Sequence, residues 1–452
     1  MRAHWGSKLG FILATAGSAI GLGNIWRFPY LLAQNSGGAF LLMYLFCVIF
    51  LGYFLLTSKL TFGRIAQTNF INGFQKVCPK KISPMWGKSA GFLTILNIIL
   101  VSSIYLIVIG WTLSYVVVAG QNLFHLADVN VNQGLFEKVT SSYFGQLFWG
   151  ILCVASCCFI LIKGVKGGIE KASLYLMPIL FVLLILMAFW SFSLPNSSKG
   201  FAFLFTPDWT KLGFHSDGFQ LKEFAHIALL ALGQAIYSLS LGMGVCFIYG
   251  SYLKPDVDIK KAACWIVGLD TCVALLASCI ILPAVFAFDM PANQGPGLTF
   301  ITLPFVFNQV NGGAFFMFLF FILLFVAALT SLISIYEPII NLLMEKKHMK
   351  RWKATLCIAF TNILTSMVIL ASFTKKWQIK LLGRDLFDFV DYLSGSYTMG
   401  LLVLIYCIFM GWKIFPQIMD NLQIKNKWLN KYFLLVLRYL TPIVLIVLFF
   451  SA

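Results

Sequence analysis

The stretch that most limits what this chain can become lies near its start: Gly17-Ser18-Ala19-Ile20-Gly21-Leu22-Gly23-Asn24-Ile25-Trp26-Arg27-Phe28-Pro29-Tyr30. It closes an apolar run from Leu9 to Phe28, and about 20 residues suffice to cross a bilayer. As a helix it is poor. Three glycines fall within seven residues, Asn24 follows, and Arg27 stands at membrane depth. An interior glycine costs a helix roughly 1 kcal/mol, and a polar group in hydrocarbon costs more, so the span is expected to be broken. Broken backbone persists in a membrane only where it lines a cavity or is buried in protein. Gly17-x-x-x-Gly21 is also a close-packing motif for two membrane helices, but packing requires neither Asn24 nor Arg27.

The rest of the chain supports a membrane setting. Hydrophobic residues make up 60% of the 452 and charged residues 11%, with a mean hydropathy of +0.88, which excludes an ordinary soluble domain. Eleven apolar spans can be marked at about 9–30, 38–62, 90–120, 147–163, 172–194, 224–250, 262–286, 313–343, 354–372, 386–412 and 431–451. The first begins almost at Met1, so no removable signal peptide is expected.

A net charge of +17 would suit nucleic acid, but its placement argues for a membrane topology instead. Lysines and arginines crowd alternate loops: Lys76 to Lys88, Lys163 to Lys171, Lys254 to Lys261, Lys346 to Lys353 and Lys425 to Lys431. Between Phe286 and Gly312 there are none, and between Gly120 and Gln146 only Lys138. The positive-inside rule then puts the N-terminus in the cytoplasm of a multi-pass protein of the cell (inner) membrane. Lys375, Lys376, Lys380 and Arg384 fall on the outer side against that rule. None of the eleven cysteines is placed for an extracytoplasmic disulfide, and no Cys/His spacing suggests a metal site.

A second break is visible in span 6, where Gly233, Ser238, Ser240, Gly242 and Gly244 crowd mid-membrane. Paired broken spans are a mark of secondary transporters: free N–H groups suit a carboxylate, and free C=O groups suit a hard cation. The run Gly21-Leu22-Gly23-Asn24-Ile25-Trp26-Arg27-Phe28-Pro29 resembles the first helix of the neurotransmitter:sodium symporter family. The resemblance implies an all-α polytopic protein of about eleven transmembrane helices. Its leucine-transporter fold has two inverted five-helix repeats, with helices 1 and 6 broken. One transporter domain would span 1–452, with repeats at about 5–194 and 224–412 and an extra helix at about 431–451.

The family's functional positions can be carried onto this sequence. Tyr105, six residues before Trp111, matches the tyrosine that meets the substrate carboxylate. Val101, Tyr237, Met243 and Ile335 would wall the side-chain pocket, with Ser240 and Ser334 close by. Ala19, Leu22, Gly23, Ser238 and Ser331 complete the substrate set. A first Na⁺ would take Ala19, Asn24, Ser238 and Asp270, and a second Gly17, Ile20, Ala327, Thr330 and Ser331. Oxygen-only shells suit a hard cation. Asp270 is a candidate on its own account, since an unpaired intramembrane carboxylate is costly. Arg27 and Asp391 correspond to an outer gate, and Arg2 and Glu345 to an inner one, with Trp5, Ser251 and Tyr252 beside it. Gly168 and Pro178 match a span 5 element that unwinds, and Asp289 to Gly313 resembles an outer lid.

Family transporters of biogenic amines carry an acid where this chain has Gly21, so the substrate is expected to bring its own carboxylate. A neutral, hydrophobic or aromatic L-amino acid fits best. Chloride is not expected, because Ala274 replaces the serine of chloride-requiring members and Asp270 supplies a fixed negative charge. Two Na⁺ crossing with a zwitterion carry about 4.6 kcal/mol per 100 mV, enough for a gradient above roughly 10³. Lys59 departs from the family, which usually has glutamate there. Either its ammonium approaches Asp270 and displaces one sodium, leaving one coupled ion, or it snorkels to the interface near Arg64. An enzyme is not expected, since no nucleophile, base and orienter converge. The rival class is a non-transporting amino-acid sensor on the same scaffold. Partners would be substrate, Na⁺ and the bilayer, with no nucleic acid, in a monomer or weak homodimer.

Overall fold

The computed structural model describes residues 3–77, 83–126, 134–216, 218–290, 297–373 and 379–451. Among them, nine helices are long and apolar enough to cross a membrane. They are span 2 (Gly38–Ala66), span 3 (Met85–Leu123), span 4 (Tyr143–Ile162), span 5 (Val165–Phe192), span 7 (Ile259–Ala287), span 8 (Gly313–Lys347), span 9 (Arg351–Ala371), span 10 (Leu386–Trp412) and span 11 (Lys427–Val447). Span 1 is a pair, Lys8–Ala19 and Gly23–Gln34, bent by 50° at its break. Span 6 is a second pair, Leu221–Ser238 and Val245–Ser251. Both expected breaks are present, and the nine long helices with the bent pair of span 1 account for ten of the eleven spans marked in the sequence.

The breaks have local causes. Span 1 starts cleanly because the Ser7 side chain accepts from the Gly10 N–H, satisfying one of the free donors of the first turn. It stops at Ile20, which is extended (φ −72°, ψ 109°). Asn24 then turns its side-chain oxygen back onto the Gly21 N–H at 3.3 Å, so the first donor past the break is satisfied by a side chain. In span 6 the chain leaves the helix through Ser240 (φ +51°) and Gly244 (φ +73°). Left-handed backbone favours glycine, and Ser240 is held there by its own hydrogen bond to Ser18.

Packing carries both breaks to the centre. The second half of span 6 lies against span 2 at backbone contact: a Cβ on Gly63 would overlap the Phe247 carbonyl, and one on Gly250 the Leu60 carbonyl. Small residues permit such approach where the bilayer offers no hydrophobic drive between helices. Span 1 packs on spans 5, 7 and 8. Span 5 is wound in this arrangement: Val165–Phe192 stays helical through Pro178, with a widened turn at Val165–Glu170. Within the expected lid, Pro291 and Pro296 lie outside the described residues. Leu298–Asn308 forms a short apolar helix whose Phe300 ring packs on Trp26, Trp111 and Tyr115.

Candidate substrate and ion site

Two clusters of oxygens meet at the breaks. In the first, Asn24 and Asp270 are fully buried and Ser238 nearly so. The Asn24 Nδ2 donates to Asp270 Oδ1 at 2.8 Å, to the Asp270 carbonyl at 3.1 Å and to Ser238 Oγ at 3.0 Å. Ser238 Oγ donates to Asp270 Oδ2 at 2.6 Å, and the Tyr44 hydroxyl reaches Ser238 at 3.5 Å. Among the described residues no lysine or arginine pairs with Asp270. A buried carboxylate held only by neutral donors favours a cation beside it, because an uncompensated buried charge costs several kcal/mol. Gln234 Nε2 binds the Gly23 carbonyl at 2.9 Å, joining the two broken spans.

The second cluster is uncharged. Ser331 Oγ donates to the Ile20 carbonyl at 3.1 Å and to the Gly17 carbonyl at 3.5 Å. Thr330 Oγ1 donates to the Ala327 carbonyl at 3.0 Å, and its Cβ faces Gly17. Gly17, Ile20, Ala327, Thr330 and Ser331 thus share one locus between spans 1 and 8. Turning the two hydroxyl hydrogens away would leave oxygen lone pairs around a common centre, which suits a hard monovalent ion.

Next to these clusters stand the residues expected to hold the substrate. The Tyr105 hydroxyl is within hydrogen-bonding reach of the Leu22 backbone, Ser331 and Tyr237. A Cβ on Gly21 would overlap Ser331 Oγ and stand 3.1 Å from the Tyr105 oxygen, so only glycine fits there. Val101, Met243, Ser334 and Ile335 are all buried. Ser334 is engaged by the Tyr249 hydroxyl at 2.9 Å, and Ser240 by Ser18.

The expected gate residues stand at the two ends of the path. At the end carrying Trp5, Arg2 lies outside the described residues. Glu345 accepts from the Thr68 hydroxyl at 2.9 Å and from the Asn69 backbone and side chain at 2.8 Å each. Trp5 Nε1 donates to the Tyr249 carbonyl at 3.0 Å, and Ser251 is buried, donating to the Ile248 carbonyl. Tyr252 donates to Glu337 at 2.8 Å, and Glu337 pairs with Arg351 at 2.5 Å. At the other end, Arg27 lies over the Tyr237 ring at 4.5 Å and bonds Tyr30. Asp391 is within its electrostatic reach, but no direct ion pair joins them.

Neither reading of Lys59 survives. Its ammonium donates to the Leu241 carbonyl and lies 3.9 Å from the centroid of Tyr406, buried, with Asp270 occupied by other groups. Sequence reasoning also missed Glu170 and Glu337. Glu170 holds the Gly6 N–H and the Ser7 hydroxyl at 2.7 Å each. Glu337 carried a signal, an acid deep in span 8, of the kind that singled out Asp270.

A membrane bundle that keeps its irregular backbone at the centre, facing buried oxygens, has the architecture of a secondary transporter. The model of the Sodium:neurotransmitter symporter family matches residues 2–132 and 133–452, and the chain belongs to that family. It is 31% identical to an uncharacterized sodium-dependent transporter of Haemophilus influenzae, over 100% of this chain and 98% of that one. With an uncharacterized sodium-dependent transporter of Bacillus subtilis it shares 34% over 99% and 97%. A crystal structure of MhsT in complex with L-phenylalanine is similar across 100% of both chains, at 35% identity and a TM-score of 0.89. The protein is a sodium-dependent membrane transporter, not an enzyme.

Proposed function

We propose that this transporter imports a neutral, hydrophobic or aromatic L-amino acid with Na⁺ and without chloride. The observation that carries this reading is Asp270, fully buried between the breaks, bonded to Asn24 and Ser238, and lacking a basic partner among the described residues. It supplies the negative charge that a coupling cation answers, which makes chloride unnecessary beside Ala274. A first Na⁺ draws on Ala19, Asn24, Ser238 and Asp270, with the Asn24 amide turned to present its oxygen. A second draws on Gly17, Ile20, Ala327, Thr330 and Ser331. The substrate carboxylate meets the Tyr105 hydroxyl and the Leu22 and Gly23 backbone, and its ammonium meets carbonyls at the two breaks, since Gly21 offers no acid. Ala19, Ser238, Ser240, Ser331 and Ser334 complete the pocket around an apolar side chain against Val101, Tyr237, Met243 and Ile335. L-phenylalanine in the similar MhsT structure supports that class.

In this reading the basic loops lie in the cytoplasm with the N-terminus and Trp5, and Arg27 and Asp391 guard the outer side. The chain works as a monomer or weak homodimer in the cell membrane, with its five-span repeats at about 5–194 and 224–412. The test is equilibrium binding of labelled leucine and tryptophan to purified protein, titrating Na⁺ at constant ionic strength without chloride. A sigmoidal rise supports two sodium ions and a hyperbolic rise one; no sodium dependence overturns the proposal. Counterflow of labelled substrate in proteoliposomes then separates a transporter from a sensor, which binds without exchange.

A further inference from the structure

The span 6 break leaves a sharply defined set of backbone groups. Four of its N–H groups are satisfied internally: Leu239 on Ala235 at 3.2 Å, Ser240 on Tyr237 at 3.1 Å, Leu241 on Ile236 at 3.1 Å and Met243 on Ser240 at 3.4 Å. Its carbonyls are met differently. That of Leu239 receives the Cys246 thiol at 3.6 Å, that of Ser240 receives the Met243 N–H at 3.4 Å and the same thiol at 3.8 Å, and that of Leu241 receives the Lys59 ammonium. This is the carbonyl end of the half-helix Leu221–Ser238, where the helix dipole favours positive charge. The ammonium is buried, with the Tyr406 ring on its other side. The residue next to Leu241 ties the two breaks together, Ser240 donating to the Ser18 carbonyl at 2.9 Å.

We infer that Lys59 is a positioning residue for transport: its ammonium clamps the carbonyl end of the span 6 break, and through the Ser240–Ser18 bond the span 1 break, in the substrate-holding arrangement. The clamp rests on the reading that these breaks hold substrate. It is a tethered cation, fixed by span 2, where one that dissociated would leave the carbonyls unpaired at each turnover. A carbonyl bonded to a charged donor is worth more than one bonded to a neutral group, and it is released only when span 2 and span 6 separate. The titratable groups around the ammonium are the Cys246 thiol on span 6 and the Tyr406 phenol and Cys407 thiol on span 10. The acid of span 7, Asp270, is held by Asn24 and Ser238.

Two measurements on the full-length protein in nanodiscs test this. In the first, alkylation of Cys246 by N-ethylmaleimide is followed at neutral pH by peptide mass mapping. Lys59→Met should react about tenfold faster or more, the measure of a lost charge-assisted bond, while Lys59→Arg stays near wild type. Equal rates in all three overturn the clamp. Should Lys59→Met be recovered too poorly to assay, Lys59→Gln, which keeps a donor without the charge, carries the same expectation. The second is sodium-dependent binding of labelled leucine from about pH 8 to about pH 11.5, a range over which a lysine of ordinary basicity, with a pKa of about 10.4, loses its proton and arginine does not. Wild-type affinity should fall and that of Lys59→Arg should stay flat; identical profiles would assign the loss to the thiols or the phenol and overturn the inference. A wild type that binds no amino acid while Lys59→Met still exposes Cys246 would sink the proposed function and leave the clamp standing.

Discussion

The two ends of the path between the breaks are closed by different chemistry. At the Trp5 end three acids, Glu170, Glu337 and Glu345, are directly bonded. Glu337 takes Arg351 at 2.5 Å and Tyr252 at 2.8 Å, Glu345 takes Thr68 and Asn69, and Glu170 takes Gly6 and Ser7. At the Arg27 end a guanidinium lies on the Tyr237 ring, its Nε has no hydrogen-bond partner, and Asp391 stands off without direct contact. The closure there is aromatic, with Phe300 lying on Trp26 and Trp111. Opening the Trp5 end separates buried charges from their partners, whereas opening the Arg27 end slides rings apart around a cation with no carboxylate in direct contact. The Arg27 end is therefore the easier one to open from this arrangement.

The largest effect expected from that contrast is at Glu337. Glu337→Ala leaves Arg351 without its acid and should lower stability by about 3–5 kcal/mol. Thermal unfolding of the purified protein reads it, and a loss no larger than that of Arg27→Ala would break the comparison. Glu170→Ala comes next. It removes two bonds to a carboxylate at the start of span 1, each worth about 1.5–3 kcal/mol, and frees the Lys8–Ala19 half-helix to tilt. Cysteine labelling of positions facing span 5 should accelerate, with substrate binding weakened and span 7 unaffected. Arg27→Ala ranks third. A cation over a ring is worth about 0.5–2 kcal/mol, so the KM for substrate should rise by no more than about thirtyfold, with thermal stability close to wild type.

Much of this was legible before any coordinates. Glycines too dense for a helix marked both breaks, and an acid in apolar sequence marked Asp270, because those signals are local and costly. The hydroxyls of span 8 became readable only when paired with the break of span 1. The network at the Trp5 end was not, for a physical reason: Glu170 and Glu337 take partners 164 and 14 residues away, so an acid deep in span 8 marks Glu337 as costly without saying what it binds. Lys59 shows the limit most plainly. A long flexible side chain in span 2 can reach Asp270, the interface or the span 6 carbonyls. The close approach of Gly63 and Gly250, which sets spans 2 and 6 at backbone contact, is what brings Leu241 within its reach. Span 5 stayed wound because a widened turn at Val165–Glu170 accommodates its glycines without breaking the helix.

The smallest effect sharpens the comparison most. Asp391 lies close enough to Arg27 to act on it electrostatically, yet the two are not in direct contact. A pair without direct contact contributes about 0–1 kcal/mol where solvent reaches it, and is then weakened by salt. Asp391→Asn should therefore change wild-type affinity by less than about fivefold at low ionic strength, and the difference should shrink as inert salt is added at fixed Na⁺. Glu337→Gln, at the opposite end, exchanges a buried charge for a neutral amide beside Arg351, where salt does not penetrate, so its defect should be insensitive to ionic strength. If both variants respond to salt alike, the two ends are closed by the same kind of contact. If only Asp391→Asn responds, the Arg27 end is the solvated one, and the lack of a direct bond between its charges is what lets that end open first.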